Sequence, residues 1–369
     1  MQGGSPNLSL FSTLEAFKGG NELAYELEFE KPLAELEKKI IGLQRKGERL
    51  RPDEHKQLQE MERDLRHRTE EIYSQLTSWQ TVLVARHKDR PYPADYIRLI
   101  CDDFFELHGD RAFGDDHAIM AGPAKLDGNT VILVCHQKGR DTKERQFRNF
   151  GMPHPEGYRK AGRLMEQAEK FGFPVISLID TPAAFPGLGD EERGQSEAIA
   201  SNLYLMSRLR VPVIAVVTGE GGSGGALAIS VANRILMLEY SIYSVAPPEA
   251  AASILWRDTA FAPQAAEAMK ISARELKALD LIDELIPEPL GGSQHNYRNA
   301  ADNLKAALLK HLAELKQLSM EDLLEQRYHK FRNIGKFGRA ETEPSQQEDD
   351  DRKGHHYYTS ASQGNPSSI

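Results

Sequence analysis

The sequence of 369 residues has little cysteine, no net positive charge and no long apolar run. Its two cysteines, Cys101 and Cys135, lie far apart and outside any Cys-x-x-Cys pair, so they form no zinc site by themselves. We therefore expect no metal in this chain and a reducing compartment. Acidic residues outnumber basic ones by 55 to 46, which gives a formal net charge of -9 and argues against general nucleic-acid binding.

Signals for membranes and for export are also missing. No stretch approaches the roughly 18 apolar residues that a membrane span requires. The opening residues, Met1 to Leu8, lack the basic region and apolar core of a secretory signal, and the glutamates that follow do not fit a transit peptide. We predict a cytoplasmic location, or the plastid stroma if the gene is plastid-encoded.

The most informative segment is an apolar run, residues 213–232, that is interrupted by four glycines around Ser223. It predicts a strand, a tight turn and a helix over about 223–232. Glycines lack a Cβ, so the backbone N–H groups of such a turn can approach a ligand closely, with a helix dipole behind them. The turn is therefore suited to hold negative charge. The four glycines are Gly221, Gly222, Gly224 and Gly225.

Three chemistries can use such a turn. A nucleotide P-loop is excluded, because Ala226 and Leu227 stand where it needs Lys and Ser or Thr. A serine hydrolase fits the Gly-x-Ser-x-Gly pattern at Ser223, but the nearest histidines in sequence are His154 and His295. An oxyanion hole made of backbone donors needs no side-chain nucleophile and is favoured. A turn that serves only close helix packing is the remaining alternative.

The order of patterns divides the chain into four parts. Residues 1–30 look weakly ordered, and residues 31–90 form a helical arm with an apolar stripe over 33–43 and a second helix from about 53 to 86. This arm packs either on its own domain or on another subunit. Residues 91–330 form the main domain. The last residues, 338–369, hold few apolar side chains and are predicted to be disordered.

Within the main domain, apolar β-rich runs alternate with helical patterns, which predicts an α/β fold with parallel pairing. The predicted strands cover residues 130–135, 174–179, 212–217, 234–238 and 281–286. The predicted helices cover about 156–171, 191–209, 223–232, 248–279 and 296–328.

Seven motifs stand out along the chain: Gly139-Arg-Asp-Thr-Lys-Glu-Arg145, the segment from Arg148 to Lys160, Asp180-Thr-Pro182 with Pro186-Gly187, Glu191 to Ala200, Gly219 to Ala226, Ser253-Ile-Leu-Trp256 and Ile286 to Gly292. They occur in one family's order over about residues 28–320, and together they resemble the α subunit of the bacterial and plastid acetyl-CoA carboxylase carboxyltransferase. The chain departs from this family's pattern at Ala183, where Gly is usual, and at Asp280, where Gly is also usual. It also has Pro247-Pro-Glu-Ala-Ala251 in place of Ser-Pro-Glu-Gly-Cys.

The resemblance implies a crotonase or Clp-protease type of fold, a spiral of β-β-α units, behind the helical arm. It implies transfer of a carboxyl group from carboxybiotin, held by a biotin carboxyl carrier protein, to acetyl-CoA to give malonyl-CoA. The implied partners are a β subunit in an α2β2 assembly, the carrier protein and biotin carboxylase. No cofactor is expected to be bound covalently to this chain, and zinc is expected only in the β subunit.

On this reading the oxyanion donors are the backbone N–H groups of Ala184 and of Gly225 or Ala226, and residues 221–224 contact the substrate. Arg140 and Arg145 either approach the CoA phosphates or the carrier's acidic surface, or pair with neighbouring acids to fix a loop. The stripe over residues 33–43 and the helix over 191–209 are candidates for the subunit interface.

Other function classes remain open from the residues alone. A stand-alone hydratase of the same fold would need catalytic carboxylates, and Glu191, Glu192 and Glu249 are available. A serine hydrolase would use Ser223. A scaffold protein would use the helical arm and dispense with the glycine turn.

Overall fold

The structure, a computed structural model, describes residues 24–335. The expectation of a disordered tail over 338–369 and most of the expectation for residues 1–30 lie outside this part. Over the described residues, the strands are β1 Asp103–Phe104, β2 Ile119–Leu126, β3 Asn129–His136, β4 Val175–Thr181, β5 Val213–Gly222, β6 Arg234–Leu238, β7 Ile242–Ser244 and β8 Glu284–Ile286.

The helices divide into an amino-terminal group and those that surround the sheet. The first group is α1 Lys31–Gln44, α2 Pro52–Ser74, α3 Ser78–Ala85 and α4 Pro93–Ile100. The second is α5 Thr142–Phe147, α6 Pro155–Phe171, α7 Leu188–Glu192, α8 Gln195–Arg208, α9 Ser223–Leu227, α10 Pro248–Trp256, α11 Ala262–Met269, α12 Ala273–Ala278, α13 Tyr297–Leu315 and α14 Met320–Arg332. No helix in residues 24–335 is long and apolar enough to cross a bilayer.

One sheet holds the described strands in the order β1-β2-β3-β4-β5-β6-β8, with β7 paired to the end of β5. Strands β3, β4, β5, β6 and β8 run parallel, as expected, whereas β2 runs antiparallel to both of its neighbours, β1 and β3. The β2–β3 hairpin turns at Asp127 and Gly128, both at positive φ, which is the conformation that a tight hairpin requires. The strand β2 is absent from the sequence-based prediction because Gly122 and Pro123 interrupt its apolar pattern.

Helices cover both faces of this sheet. Side chains of α6 and α8, among them Leu164 and Met206, pack on one face, and side chains of α4 and α13, among them Ile97 and Leu304, pack on the other. Every residue of β4 and β5 is buried, as is typical of central parallel strands.

The helical arm differs from the prediction in two ways. Its second helix ends at Ser74, and a new helix begins at Ser78, because the Thr77 hydroxyl accepts a hydrogen bond from the Gln80 amide and caps α3. The apolar stripe is buried within the chain itself. Leu33 and Ile40 are fully buried in a cluster with side chains of α2, so they are not available as an interface.

Several other helices and strands are shorter than predicted. The helix over 191–209 is divided by Gly194, which has a φ of +83°, and the helix over 248–279 is divided into three pieces. The predicted helix over 296–328 is two helices, and the last strand covers only Glu284–Ile286. The helix after the glycine turn ends at Leu227 instead of continuing to 232. Residues 228–232 are buried without being helical, so an apolar run there did not mean a helix.

Candidate active site

The site lies where three parallel strands end. Strand β3 ends at His136, β4 at Thr181 and β5 at Gly222. Because neighbouring parallel strands end at the same edge of a sheet, the loops that follow them meet there, and this edge is where open α/β sheets bind ligands. The predicted site residues come from two of these loops, and the predicted arginines follow the third.

The glycine turn and the loop after β4 touch through their backbones. A Cβ on Gly222 would lie 1.8 Å from the Pro182 carbonyl oxygen, and one on Gly225 would lie 2.5 Å from the Ala184 nitrogen. Only glycine permits this approach at either position. The three residues predicted to supply oxyanion donors, Ala184, Gly225 and Ala226, are thereby brought together.

The remaining residues of the turn differ in what they contact. Gly221 faces the Tyr243 ring, which a Cβ would meet at 2.8 Å, whereas the nearest neighbour of a Cβ on Gly224 is Ile199 at an ordinary 3.6 Å. Ser223 has a φ of +51°, an unusual value for a residue with a side chain. Helix α9 has only 5 residues, so the preference for negative charge rests on the local amides and not on a long helix dipole.

The positions that depart from the family pattern differ in their backbone conformation. Ala183 does not adopt a positive φ, and its carbonyl accepts a hydrogen bond from the Thr181 hydroxyl at 2.8 Å. Alanine in place of the usual glycine therefore causes no left-handed backbone strain at this position. Asp280, at the other position where Gly is usual, does have a φ of +57°. Pro247, which stands where Ser is usual, is the residue before the first turn of α10 and has an extended backbone.

A chain of alternating charges supports the edge of the site. Lys138 Nζ lies 2.7 Å from Asp180 Oδ1 and 3.2 Å from Glu220 Oε2. Arg86 continues the chain, with Nε 2.7 Å from Glu220 Oε1 and Nη1 2.6 Å from Glu249 Oε1. Burial opposes the charge of each group, but the opposite charges prevail, so the pKa of Lys138 is raised and that of Glu220 is lowered.

Sequence reasoning missed this chain of charges. Its five members, Arg86, Lys138, Asp180, Glu220 and Glu249, come from five separate segments, so no local sequence pattern shows that they pair. His136, the last residue of β3, is also buried, and the Gly225 backbone is the polar group beside its ring that favours the charged form. Burial and the nearby Lys138 lower the pKa of His136 to about 3, so the imidazole is neutral.

The two predicted arginines have different environments. Arg140 is ion-paired with Asp95, and its guanidinium lies 4.6 Å from the centre of the Tyr92 ring. It fixes its loop against α4, although the partner is not one of the neighbouring acids that the sequence suggested. Arg145 donates from Nε to the Gly139 carbonyl at 3.3 Å and makes no ion pair with a described residue.

A cleft of about 270 Å³ opens beside these residues. It is lined by side chains that include Tyr92, Lys138, Arg145, Phe150, Pro182 and Glu220. We call it the Arg145 cleft.

The candidate residues of the other function classes are not arranged for catalysis. Glu191 and Glu192 are exposed on α7, and Glu249 is ion-paired to Arg86. Among the described residues, no hydrogen bond joins Ser223 to a histidine, and Nδ1 of His154 is hydrogen-bonded to Asp190 instead.

One group of possible metal ligands, Glu26, His87 and Asp89, has atoms within 4.8 Å of one another, but exposed acids often gather without an ion. The absence of a metal remains a prediction.

Comparison with known proteins agrees with the motifs. Residues 26–335 match the family model described as acetyl co-enzyme A carboxylase carboxyltransferase-like. The chain is 57% identical over 314 residues to the acetyl-coenzyme A carboxylase carboxyl transferase subunit alpha of Geobacter metallireducens, covering 85% of this chain and 98% of the relative. It is 55% identical over 312 residues to the subunit of the same name from Vibrio parahaemolyticus, covering 84% and 98%.

Solved structures confirm the fold. The chain is similar to a Pseudomonas malonate decarboxylase hetero-tetramer in complex with coenzyme A, with a TM-score of 0.51 and 18% identity over 63% of this chain and 90% of that one. It is similar to the transcarboxylase 12S structure with a TM-score of 0.50 and 20% identity, over 60% of this chain and 41% of that one. The crotonase type of fold is thus confirmed, and the chain belongs to the family of acetyl-CoA carboxylase carboxyltransferase α subunits.

Proposed function

We propose that this chain is the half of a carboxyltransferase that stabilises the biotin oxyanion while a carboxyl group moves from carboxybiotin to acetyl-CoA. The observation that carries the proposal is the backbone contact of Gly222 and Gly225 with the loop Pro182 to Ala184. The backbone N–H groups that we assign as donors come from these two loops, and the close approach supports this assignment because no side chain fits between them. Relatives at 57% and 55% identity bear the name of this enzyme's α subunit, which supports the same reaction.

The reaction requires hydrogen-bond donors to a developing oxyanion, and it does not require a side-chain base. When the bond between the biotin nitrogen and the carboxyl carbon breaks, negative charge develops on the ureido oxygen. The N–H groups of Ala184 and of Gly225 or Ala226 lower the barrier by donating to that oxygen. The biotin nitrogen then takes a proton from the methyl group of acetyl-CoA, and the resulting enolate carbon bonds to the carboxyl carbon to give malonyl-CoA. No side-chain base of this chain is required.

One glycine turn serves only one of two oxyanions. The thioester oxygen of acetyl-CoA also becomes negative, so a second set of donors is needed, and a β subunit in an α2β2 assembly supplies it. The biotin carboxyl carrier protein delivers the carboxybiotin that biotin carboxylase has formed. The chain itself holds no covalent cofactor, zinc belongs to the β subunit, and the reaction takes place in the cytoplasm.

An exposed apolar patch beside the turn fits the partner surface better than the helical arm does. We call it the α10 patch, and its exposed members are Val245, Ile254, Leu255, Trp256 and Phe261. It begins one residue after Ser244, which pairs with Gly222 in the sheet, so it adjoins the glycine turn. Apolar patches of this kind on a soluble chain mark interfaces, and a shared site requires the partner to cover this edge. The helix over 191–209 remains a second candidate, with Tyr204 exposed.

Reconstitution tests the proposal. The purified chain should form no malonyl-CoA from acetyl-CoA and a carboxybiotin carrier, and it should gain this activity when a β subunit is added. Ser223→Ala should retain most of the reconstituted activity, because only backbone groups of the turn act. Malonyl-CoA formation by the chain alone, with β subunit excluded by mass spectrometry, would contradict the half-site. A loss in Ser223→Ala as deep as that of a missing nucleophile would favour the hydrolase.

A further inference from the structure

The Arg145 cleft lies next to the reacting atoms of the proposed reaction. One wall is Pro182, two residues before the proposed donor Ala184, and another is Glu220, two residues before Gly222. The carbonyl of Pro182 touches the position where Gly222 lacks a Cβ. A group that enters the cleft is therefore beside the oxyanion donors and not at a distant end of the substrate.

The charges that line this cleft favour an anion. Its lining contains three cationic side chains and one carboxylate, Glu220. Two of the cations are already neutralised, because Lys138 lies between Asp180 and Glu220, and Arg86 lies between Glu220 and Glu249. Arg145 is different. It has no carboxylate partner within residues 24–335, and its one side-chain hydrogen bond there, from Nε to the Gly139 carbonyl, leaves its other N–H groups for a ligand.

The backbone around Phe150 supplies a second, independent observation at the rim. Phe150 has a φ of +56°, which is rare for a residue with a bulky side chain, and it follows Asn149, which also has a positive φ of +49°. Such conformations persist only where the surroundings hold them, and they cluster at ligand sites. Here the strained segment places the exposed phenyl ring in the wall of the cleft, where it can contact a flat ring.

Two anions are available in the proposed reaction. The CoA phosphates are separated from the thioester by the whole pantetheine arm, so they cannot lie in a cleft that adjoins the donors for the reacting oxygens. The carboxyl group itself is the anion at the reacting end. It is carried by carboxybiotin before the transfer and by malonyl-CoA after it.

We propose that Arg145 binds the carboxyl group in transit and that the Arg145 cleft is the subsite for this carboxylate. The inference rests on the proposed function, and it decides between the readings of Arg145, since the guanidinium then binds neither the phosphates nor a neighbouring acid. A guanidinium can donate two parallel hydrogen bonds to a carboxylate, which orients the group as well as holding it.

Malonyl-CoA and acetyl-CoA provide a matched pair of probes, because they differ only in this carboxylate. In the α2β2 enzyme, Arg145→Ala should weaken malonyl-CoA binding about tenfold or more and leave acetyl-CoA binding within about twofold, measured by calorimetry. Arg145→Lys should recover part of the loss. The control is Lys143→Ala, which removes an exposed positive charge from the same helix and should change neither affinity.

Each other outcome overturns the inference. Equal weakening of both CoA esters would assign Arg145 to the phosphates, and unchanged affinities for both would place the carboxylate elsewhere. Arg145→Gln serves as a second variant, because it keeps polar donors on an exposed side chain, and size-exclusion chromatography of each variant checks that the assembly forms. The proposed function fails separately, if the wild-type assembly forms no malonyl-CoA.

Discussion

Arg90 and Glu288 form a two-point ion pair in the interior, with Nη1 2.7 Å from Oε2 and Nη2 2.6 Å from Oε1. Both side chains are almost completely buried. The Glu288 carboxylate also accepts hydrogen bonds from the Tyr240 and Ser293 amides. This pair gives Glu288, in the motif Ile286 to Gly292, a structural role. It joins the segment after β8 to the segment before α4.

Breaking this pair should destabilise the chain strongly. Arg90→Leu leaves the Glu288 carboxylate buried without its cation, so we expect the free energy of unfolding to fall by about 3–5 kcal/mol. Urea unfolding followed by circular dichroism measures the change. Arg68→Leu is the control, because the Arg68 pair with Asp64 is exposed and should contribute less than about 1 kcal/mol. Equal losses in the two variants would contradict the account.

The charge chain at the site predicts a pH dependence. The pKa of Glu220 is lowered in the folded chain, so its contribution to stability is present at neutral pH and is lost as the pH falls below its ordinary value of about 4.3. Glu220→Gln should therefore destabilise the chain at pH 7 by about 3 kcal/mol. The difference from wild type should shrink as the solution becomes more acidic. A difference that stays constant with pH would show that the carboxylate charge does not matter.

Replacing Asp280 by glycine should stabilise the chain. Its φ of +57° suits glycine, and the side chain is exposed. We expect Asp280→Gly to raise the free energy of unfolding by about 0.5–1 kcal/mol, whereas Asp280→Ala should lower it. Thermal unfolding of the two variants gives the comparison. If both variants shift in the same direction, the left-handed backbone is not the cause.

The α10 patch should govern assembly with the β subunit. Leu255→Asp places a charge in the patch, so we expect weaker association, seen as a shift towards free subunits in analytical ultracentrifugation. Phe171→Asp is the control. Phe171 is also exposed, but it is the last residue of α6 and lies just before the start of β4, at the opposite edge of the sheet from the site. A greater loss of assembly in the control would place the interface elsewhere.

The sequence was sufficient for the centre of the fold. Strands β3 to β6 are short apolar runs between helical patterns. Parallel strands that are buried on both faces have this sequence pattern, so the runs could be assigned as strands. The prediction of strands failed where the local pattern was interrupted, as at Gly122 and Pro123 within β2. The prediction of helices failed at the end of α9, because burial there does not follow the helical period.

For the site, the residues that act through their backbone could be predicted and their supports could not. Glycine spacing alone pointed to Gly225, since the lack of a Cβ is visible in a sequence. The pairing of Lys138 with Asp180 and Glu220, and of Arg140 with Asp95, depends on strands and helices far apart in the chain. Such pairs follow only from the sheet order and register.

Two neighbouring glycines test the central claim most directly. A Cβ at Gly225 would meet the backbone of Ala183 and Ala184 at 2.5 Å, whereas one at Gly224 would make only an ordinary 3.6 Å contact with Ile199. In the assembly with a β subunit, Gly225→Ala should lower kcat for malonyl-CoA formation at least about a hundredfold, as loss of an oxyanion donor does, while Gly224→Ala keeps it within about threefold. Size-exclusion chromatography confirms that both variants assemble. Wild-type turnover by Gly225→Ala, or equal losses in the two variants, would contradict the assignment of the oxyanion donors to this junction.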